Sequence, residues 1–164
     1  MRRRTLAAWA TALGVSLVLL TFAPNGWARA KTRVRWVDVA VREGDDQKRV
    51  ARTFEKLLVY KSRRAKWGKG ERLELTARVK RLDWEPRGDV LRVTVTVVAK
   101  IKGVRGARSH IRIGGDPDKR RELEKRALKI VAGGLVTRLS AIAREQAAAA
   151  KRAKEREKAA ATEG

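Results

Sequence analysis

Apolar and polar residues alternate along the middle of this chain with the period of two that is typical of β-strands. The cleanest example runs from Leu91 to Lys102, where Leu, Val, Ala and Ile fill one parity and mostly Arg, Thr and Lys the other. Side chains of a strand point alternately to its two faces, so this pattern predicts one buried face and one polar face.

Two more segments alternate in the same way, and Glu71–Ile113 is therefore predicted to form an antiparallel meander of three strands. The first of these strands changes parity near Lys80–Arg81, which predicts a β-bulge there. Pro86 and Gly88 predict a hairpin turn, with Pro86 in its second position and Gly88 free to adopt positive φ.

The remaining periodic segments predict one strand and two helices. Val34–Val41 is rich in valine on both parities, so we expect a strand with both faces largely covered. Gln47–Arg64 has the apolar spacing of an amphipathic helix, preceded by an aspartate that can cap it. Asp116 and Pro117 mark the start of a second helix. Its predicted core stripe consists of Leu128, Val131, Leu135, Leu139 and Ile142.

These elements predict a single small α+β domain over residues 31–146. We expect about four strands in a mainly antiparallel sheet, with the two amphipathic helices packed on one face. Residues 147–164 are rich in Ala, Lys and Glu and lack an apolar stripe, so they are predicted to be a helical or disordered tail.

Residues 1–30 have the features of a signal peptide. Three arginines precede an apolar run over residues 6–23, and Ala28 and Ala30 form a small-x-small cleavage site. The alternative is that the apolar run is retained as a membrane anchor. The chain contains no cysteine, which excludes disulfides, thiolate metal sites and the acylated cysteine of a lipoprotein. We therefore expect cleavage near Ala30 and a periplasmic or secreted protein with no transmembrane span.

The charge of the exported part is strongly positive. Of 41 basic residues in the chain, four precede Lys31, and all 18 acidic residues follow it, so the exported part carries +19. Such a field attracts acidic proteins, anionic envelope polymers, lipid head groups or nucleic acid. The alternative is a compositional bias, since Arg, Ala, Val and Gly are abundant.

Basic residues near the end of the first helix and on the polar parity of two strands form the candidate partner-binding surface. Trp67 lies in the basic stretch after this helix, where an aromatic ring could stack on a base or meet a lipid interface. The alternative is that Trp67 closes the helix end over the sheet. The candidate residues are Arg63, Arg64, Lys66, Trp67, Lys69, Arg92, Lys100, Arg108 and Arg112.

No constellation of catalytic residues is visible in the sequence. His110 is the only histidine, and no serine lies in a nucleophile elbow. The acidic pairs at 45–46 and 116–118 stand at helix starts, where capping explains them. Gly114-Gly115 lacks the lysine of a phosphate-binding loop. We therefore expect a non-enzymatic binding or scaffolding protein without cofactor or metal. Exported nucleic-acid binding is the alternative, and a small hydrolase a more distant one.

The order of these elements resembles the periplasmic α+β domain of curli-secretion lipoproteins and penicillin-binding-protein activators. The similarity covers about residues 34–142 and is carried by Leu75–Leu82, by the alternating Val93–Val97 and by the closing helix Leu123–Leu139. It implies the same α+β fold in an envelope protein. The lipobox cysteine of that group is absent here, and the resemblance assigns no site residues.

Overall fold

Seven elements follow one another along the chain in the computed structural model, which describes residues 32–42, 46–70 and 72–162. The predicted signal peptide and its cleavage site lie outside the described residues. The elements are β1 (Val34–Val41), α1 (Gln47–Arg64), β2 (Leu73–Arg87), β3 (Val90–Ile101), β4 (Gly106–Gly115), a 3₁₀ turn (Pro117–Lys119) and α2 (Arg120–Thr162).

The four strands form one sheet in the order β1-β2-β3-β4. β1 and β2 pair in parallel, because α1 carries the chain back to the starting end of the sheet. The β2–β3 and β3–β4 pairs are antiparallel and joined by short turns. The sheet is therefore mixed but mainly antiparallel, and the predicted single small α+β domain is confirmed.

Both helices pack on the same face of the sheet and enclose the core. α1 contributes Phe54 and Leu58, which are fully buried. The predicted stripe of α2 is buried along its whole length, from Leu128 to Ile142. The inward residues of β2 and β3 alternate as the sequence indicated. Those with at most 3% exposure are Leu75, Ala77, Val79, Val93, Val95, Val97, Ala99 and Ile101.

Two β-bulges adjust the register of β2 and β1. The pairing of β2 with β3 shifts between Val79 and Arg81, which confirms the bulge predicted there. The pairing of β1 with β2 shifts between Trp36 and Asp38, and Val37 between them is 54% exposed. The expectation that both faces of β1 are covered was therefore wrong. The valines of β1 occupy both parities because the bulge moves the inward positions by one residue.

The hairpin turn between β2 and β3 is also shorter than predicted. Pro86 lies within β2 and pairs with Leu91, and the turn consists of Gly88, with φ of 54°, and Asp89. Pro86 is tolerated in the strand because β2 extends beyond the end of β1 at this point. Among the described residues, no strand pairs with this end of β2 on the side of β1, so the N–H that proline lacks has no ladder partner to lose.

The last helix continues well past the core. Every side chain from Arg144 to Thr162 is exposed, although α2 remains helical throughout. This segment is helical because it consists largely of strong helix formers. Its side chains are exposed because it lacks an apolar stripe. Within the described ranges, no helix is long and apolar enough to cross a membrane.

Candidate anion-binding face of the sheet

The face of the sheet opposite the helices carries the polar residues of all four strands. Both helices pack on the other face, so no element of the described chain covers this one. Several basic side chains project from it, and we call six of them, which form no ion pair among the described residues, the basic sheet face. They are Arg35, Arg78, Arg92, Lys100, Arg108 and Arg112.

Strand register brings the central members of this face into rows. Arg78 of β2 lies opposite Val98 of β3, and Val98 lies opposite Arg108 of β4. Strands in a sheet are separated by about 4.8 Å, so the two arginines flank Val98 about 10 Å apart. Arg108 and Arg112 are four residues apart on β4, which corresponds to about 13 Å. The cations therefore cover a flat area rather than converge on a point.

Three of the four acidic strand residues that the structure describes on this face are held by other basic residues, and the fourth, Asp38 of β1, forms no ion pair within 4 Å. Lys102 donates to Glu74 at 3.0 Å, Arg87 donates to Glu85 at 2.9 Å, and Arg81 pairs with Asp83. The hydrogen bond from Lys102 lowers the pKa of Glu74, and the bond from Arg87 lowers the pKa of Glu85. Among the described residues, the six members of the basic sheet face form no ion pair within 4 Å.

Two threonines of β3 position side chains of β4 on this face. The guanidinium Nε of Arg112 donates to Thr94 Oγ1 at 3.2 Å, and His110 Nδ1 lies 2.9 Å from Thr96 Oγ1. Both threonines are almost completely covered, with 7% and 5% exposure. The hydroxyl of Thr94 thus restrains the inner end of the Arg112 guanidinium while the side chain stays exposed.

The nine residues of the predicted surface do not lie together. Arg92, Lys100, Arg108 and Arg112 project from the open face of the sheet, as their parity indicated. The other basic members, Arg63, Arg64, Lys66 and Lys69, are exposed around the end of α1, within the helical layer. Arg64 stacks on Tyr60, with its guanidinium carbon 4.4 Å from the ring centroid. The sheet therefore separates the candidate residues into two groups.

Trp67 is a core residue, and the expectation of an exposed aromatic ring was wrong. Only 6% of it is exposed, and its indole N–H donates to the carbonyl of Ser62 at 2.9 Å. Ser62 also accepts, through its hydroxyl, the indole N–H of Trp36 at 3.0 Å. Trp67 therefore closes the end of α1 over the sheet, which is the alternative stated above.

Arg35 and Arg78 are members of the basic sheet face that sequence reasoning left out. Arg78 alternates with the buried Ala77 and Val79, so its parity already indicated the open face. Its place opposite Val98 and near Arg108 depends on strand register, which a single strand does not reveal.

The acidic pairs at the helix starts have different roles. Asp46 makes no side-chain hydrogen bond to the backbone of α1, so the proposed cap is absent, and it pairs with Arg49 at 3.1 Å instead. Asp116 does act as a cap, because its carboxylate accepts the N–H of Asp118 at 3.0 Å. Within the ranges that the structure describes, no three acidic or histidine side chains lie close enough together to hold a metal ion.

Comparison with known proteins provides little further information. No protein-family model matches the chain, and no curated protein sequence matches it. Among solved structures, a candidate lipoprotein from Caulobacter crescentus CB15 is similar, with 13% identity and a TM-score of 0.45 over 71% of this chain and 90% of that one. Because both values are low, the similarity assigns neither family nor function.

Proposed function

We propose that this chain is an exported, non-enzymatic envelope protein that binds an extended anionic surface through its basic sheet face. The observation that carries the proposal is the row Arg78–Val98–Arg108, flanked by Arg112, on a sheet face that no described element covers. The acidic residues of β2 on this face are already paired, which leaves Asp38 of β1 as its unpaired carboxylate among the described strand residues, so most of these cations are available to phosphate or carboxylate groups of a partner.

A flat array of this kind fits an anionic envelope polymer, lipid head groups or the acidic face of a protein. The cations lie about 10 to 13 Å apart and do not enclose a ligand-sized pocket. Dissolved salt screens the attraction between exposed charges. We therefore expect binding to the anionic surface to weaken steeply as the salt concentration rises.

Exported nucleic-acid binding is the second candidate, favoured only by the +19 charge of the exported part. It loses support from Trp67, whose ring is buried. The aromatic residues of the described strands, Trp36 and Trp84, also lie on the helix side of the sheet. Among the described residues, the open face therefore has no exposed indole on which single-stranded bases could stack.

The experiment compares the purified protein with two triple variants of equal charge. One replaces Arg78, Arg108 and Arg112 by Gln, and the control replaces the exposed helix residues Lys48, Lys56 and Lys125 by Gln. Sedimentation with anionic vesicles, neutral vesicles and an anionic cell-wall polymer is measured at low and raised salt. We expect the sheet variant to lose most anionic binding and the control to keep it.

Two results would contradict the proposal. Equal losses in both triple variants would mean that net charge alone drives binding, and retention of the protein by none of the anionic surfaces would mean that the face has another role. A fluorescence shift with single-stranded DNA at raised salt, absent with the polymers, would favour the second candidate.

Amino-terminal sequencing of the exported protein tests cleavage after Ala30.

A further inference from the structure

A second site lies on the helical side of the molecule, in a groove between the loop after α1 and the exposed half of α2. Its volume is about 530 Å³, within the roughly 300–1,000 Å³ of typical small-molecule sites. The apolar residues along it come from the loop, from two strands and from one face of α2. They are Trp67, Leu73, Ile101, Ala143, Ala147 and Ala150.

The polar side chains at the groove are those of Thr32, Gln146 and three lysines at its rim. Lys69 lies on the loop side, and Lys151 and Lys154 lie on the α2 side. Lys151 also contacts Glu155 at 3.4 Å, but no acidic residue lines the groove among the described residues. The rim therefore presents positive charge beside an apolar wall.

Two of the other polar groups of the wall are satisfied within the protein, and the exposed Gln146 amide remains open to a ligand. The Thr32 hydroxyl donates to the Gly68 carbonyl at 2.9 Å, and the Trp67 N–H is bonded to Ser62. A ligand in the groove thus meets mainly apolar surface along its length, with one amide at Gln146 and the ammonium groups of the three lysines. We propose that the groove binds a single-chain anionic amphiphile, with the alkyl chain along α2 and the anionic head at the lysines.

Charge complementarity favours an anionic amphiphile over the two occupants that the protein itself could supply, a second copy of the chain and its own leader. A second copy of the chain brings another +19 to a rim that is already positive. The leader, which joins the domain at Thr32 beside the groove, has an uncharged apolar run flanked by arginines and carries no acidic residue. Neither supplies the negative head group that three lysines would pair with.

The site is separate from the basic sheet face, so its test is independent of the proposed function. Calorimetry measures binding of dodecyl phosphate, kept below its micelle concentration, to the purified processed protein. We expect one molecule per chain. Comparison with octyl and decyl phosphate should show a two- to fourfold gain in affinity for each added CH₂. A neutral twelve-carbon alcohol and butyl phosphate should each bind at least tenfold more weakly.

Matched variants locate the ligand. Replacing Lys69, Lys151 and Lys154 by Gln should weaken dodecyl phosphate at least tenfold, whereas Gln at Lys56, Lys125 and Lys129 should leave it within twofold. Ala147→Phe fills the groove and should abolish binding, whereas Ala149→Phe, on an exposed position outside the groove, should not. Circular dichroism verifies that the helical variants stay folded.

Three outcomes would overturn the inference. The first is binding that is equal for butyl and dodecyl phosphate or unaffected by Ala147→Phe, which would mean that only charge is recognised. The second is association with anionic vesicles without binding of the monomeric amphiphile, which would identify a membrane surface as the occupant. The third is a processed protein that binds no dodecyl phosphate, which would mean that the groove does not take an anionic amphiphile.

Discussion

Arg49 of α1 and Glu124 of α2 form a bidentate ion pair that joins the two helices. Arg49 Nη1 and Nη2 lie 2.8 and 2.9 Å from the two carboxylate oxygens of Glu124. The Glu124 side chain is 7% exposed and that of Arg49 is 38% exposed, so the carboxylate is the buried partner. The hydrogen bond to Glu124 raises the pKa of Arg49 above its usual value.

Removal of Arg49 should cost more than removal of the whole pair. Arg49→Met leaves a buried carboxylate uncompensated, and we expect a loss of about 1–3 kcal/mol in the free energy of unfolding, reduced from the value for a fully buried pair because Arg49 is partly exposed. Arg49→Met with Glu124→Leu should recover at least half of that loss. Urea denaturation of both single variants and the double variant measures the coupling, and additive losses would contradict the pairing.

Trp67 should behave as a core residue in a stability measurement. We expect Trp67→Ala to lower the free energy of unfolding by about 3–5 kcal/mol, since a large buried side chain is removed. Trp67→Phe keeps most of the volume but removes the indole donor of the Ser62 carbonyl, at a cost of about 0.5–1.5 kcal/mol, since that carbonyl still accepts the Ala65 N–H at 3.3 Å. Thermal denaturation monitored by circular dichroism distinguishes these values from the near-zero change expected of an exposed ring.

The Glu85 carboxylate reports the positive potential of the basic sheet face. Its pKa lies below the usual 4.5, mainly through the hydrogen bond from Arg87, with smaller contributions from the charges of Arg112 and Arg92. We expect Arg87→Gln to raise this pKa most, and Arg92→Gln or Arg112→Gln to raise it less. NMR titration of the side-chain carboxyl group measures each shift.

The sign of the associated pH effect follows from the lowered pKa. The carboxylate contributes to stability above the pKa of the unfolded chain, near 4.5, and this contribution is lost as the pH falls through the lower folded value. Lys48→Gln, on α1, serves as the control and should leave the Glu85 pKa unchanged. A Glu85 pKa that is insensitive to Arg92 and Arg112 would mean that these arginines point away from it.

Gly103, in the turn between β3 and β4, and Gly106, the first residue of β4, should respond differently to substitution by alanine. Gly103 has a φ of 75° and open space where a Cβ would lie, so Gly103→Ala costs only backbone strain of about 1–2 kcal/mol. At Gly106 a Cβ would lie 2.6 Å from the backbone oxygen of Ala99. We expect the larger loss for Gly106→Ala, and chemical denaturation ranks the two; the reverse order would contradict the described strand geometry.

The sequence by itself determined the local elements of this protein. Valine content predicted β1, and hydrophobic period predicted α1, both with the bounds that the structure has; the period also predicted the bulge near Lys80 and the stripe of α2 from Leu128 to Ile142. These features depend on which positions of one element are buried. Periodicity reports that directly, because a strand repeats every two residues and a helix about every 3.6.

Tertiary structure decided which elements become neighbours, and the candidate sites depend on that. Trp67 is buried because the end of α1 packs on the sheet, and Val37 is exposed because β1 bulges at the sheet edge. Arg78 and Arg108 share a row only through the β2–β3–β4 register. Such contacts join residues far apart in the chain, and their free energy depends on surfaces from several elements at once. The pattern of apolar and polar residues within one element therefore does not predict these contacts.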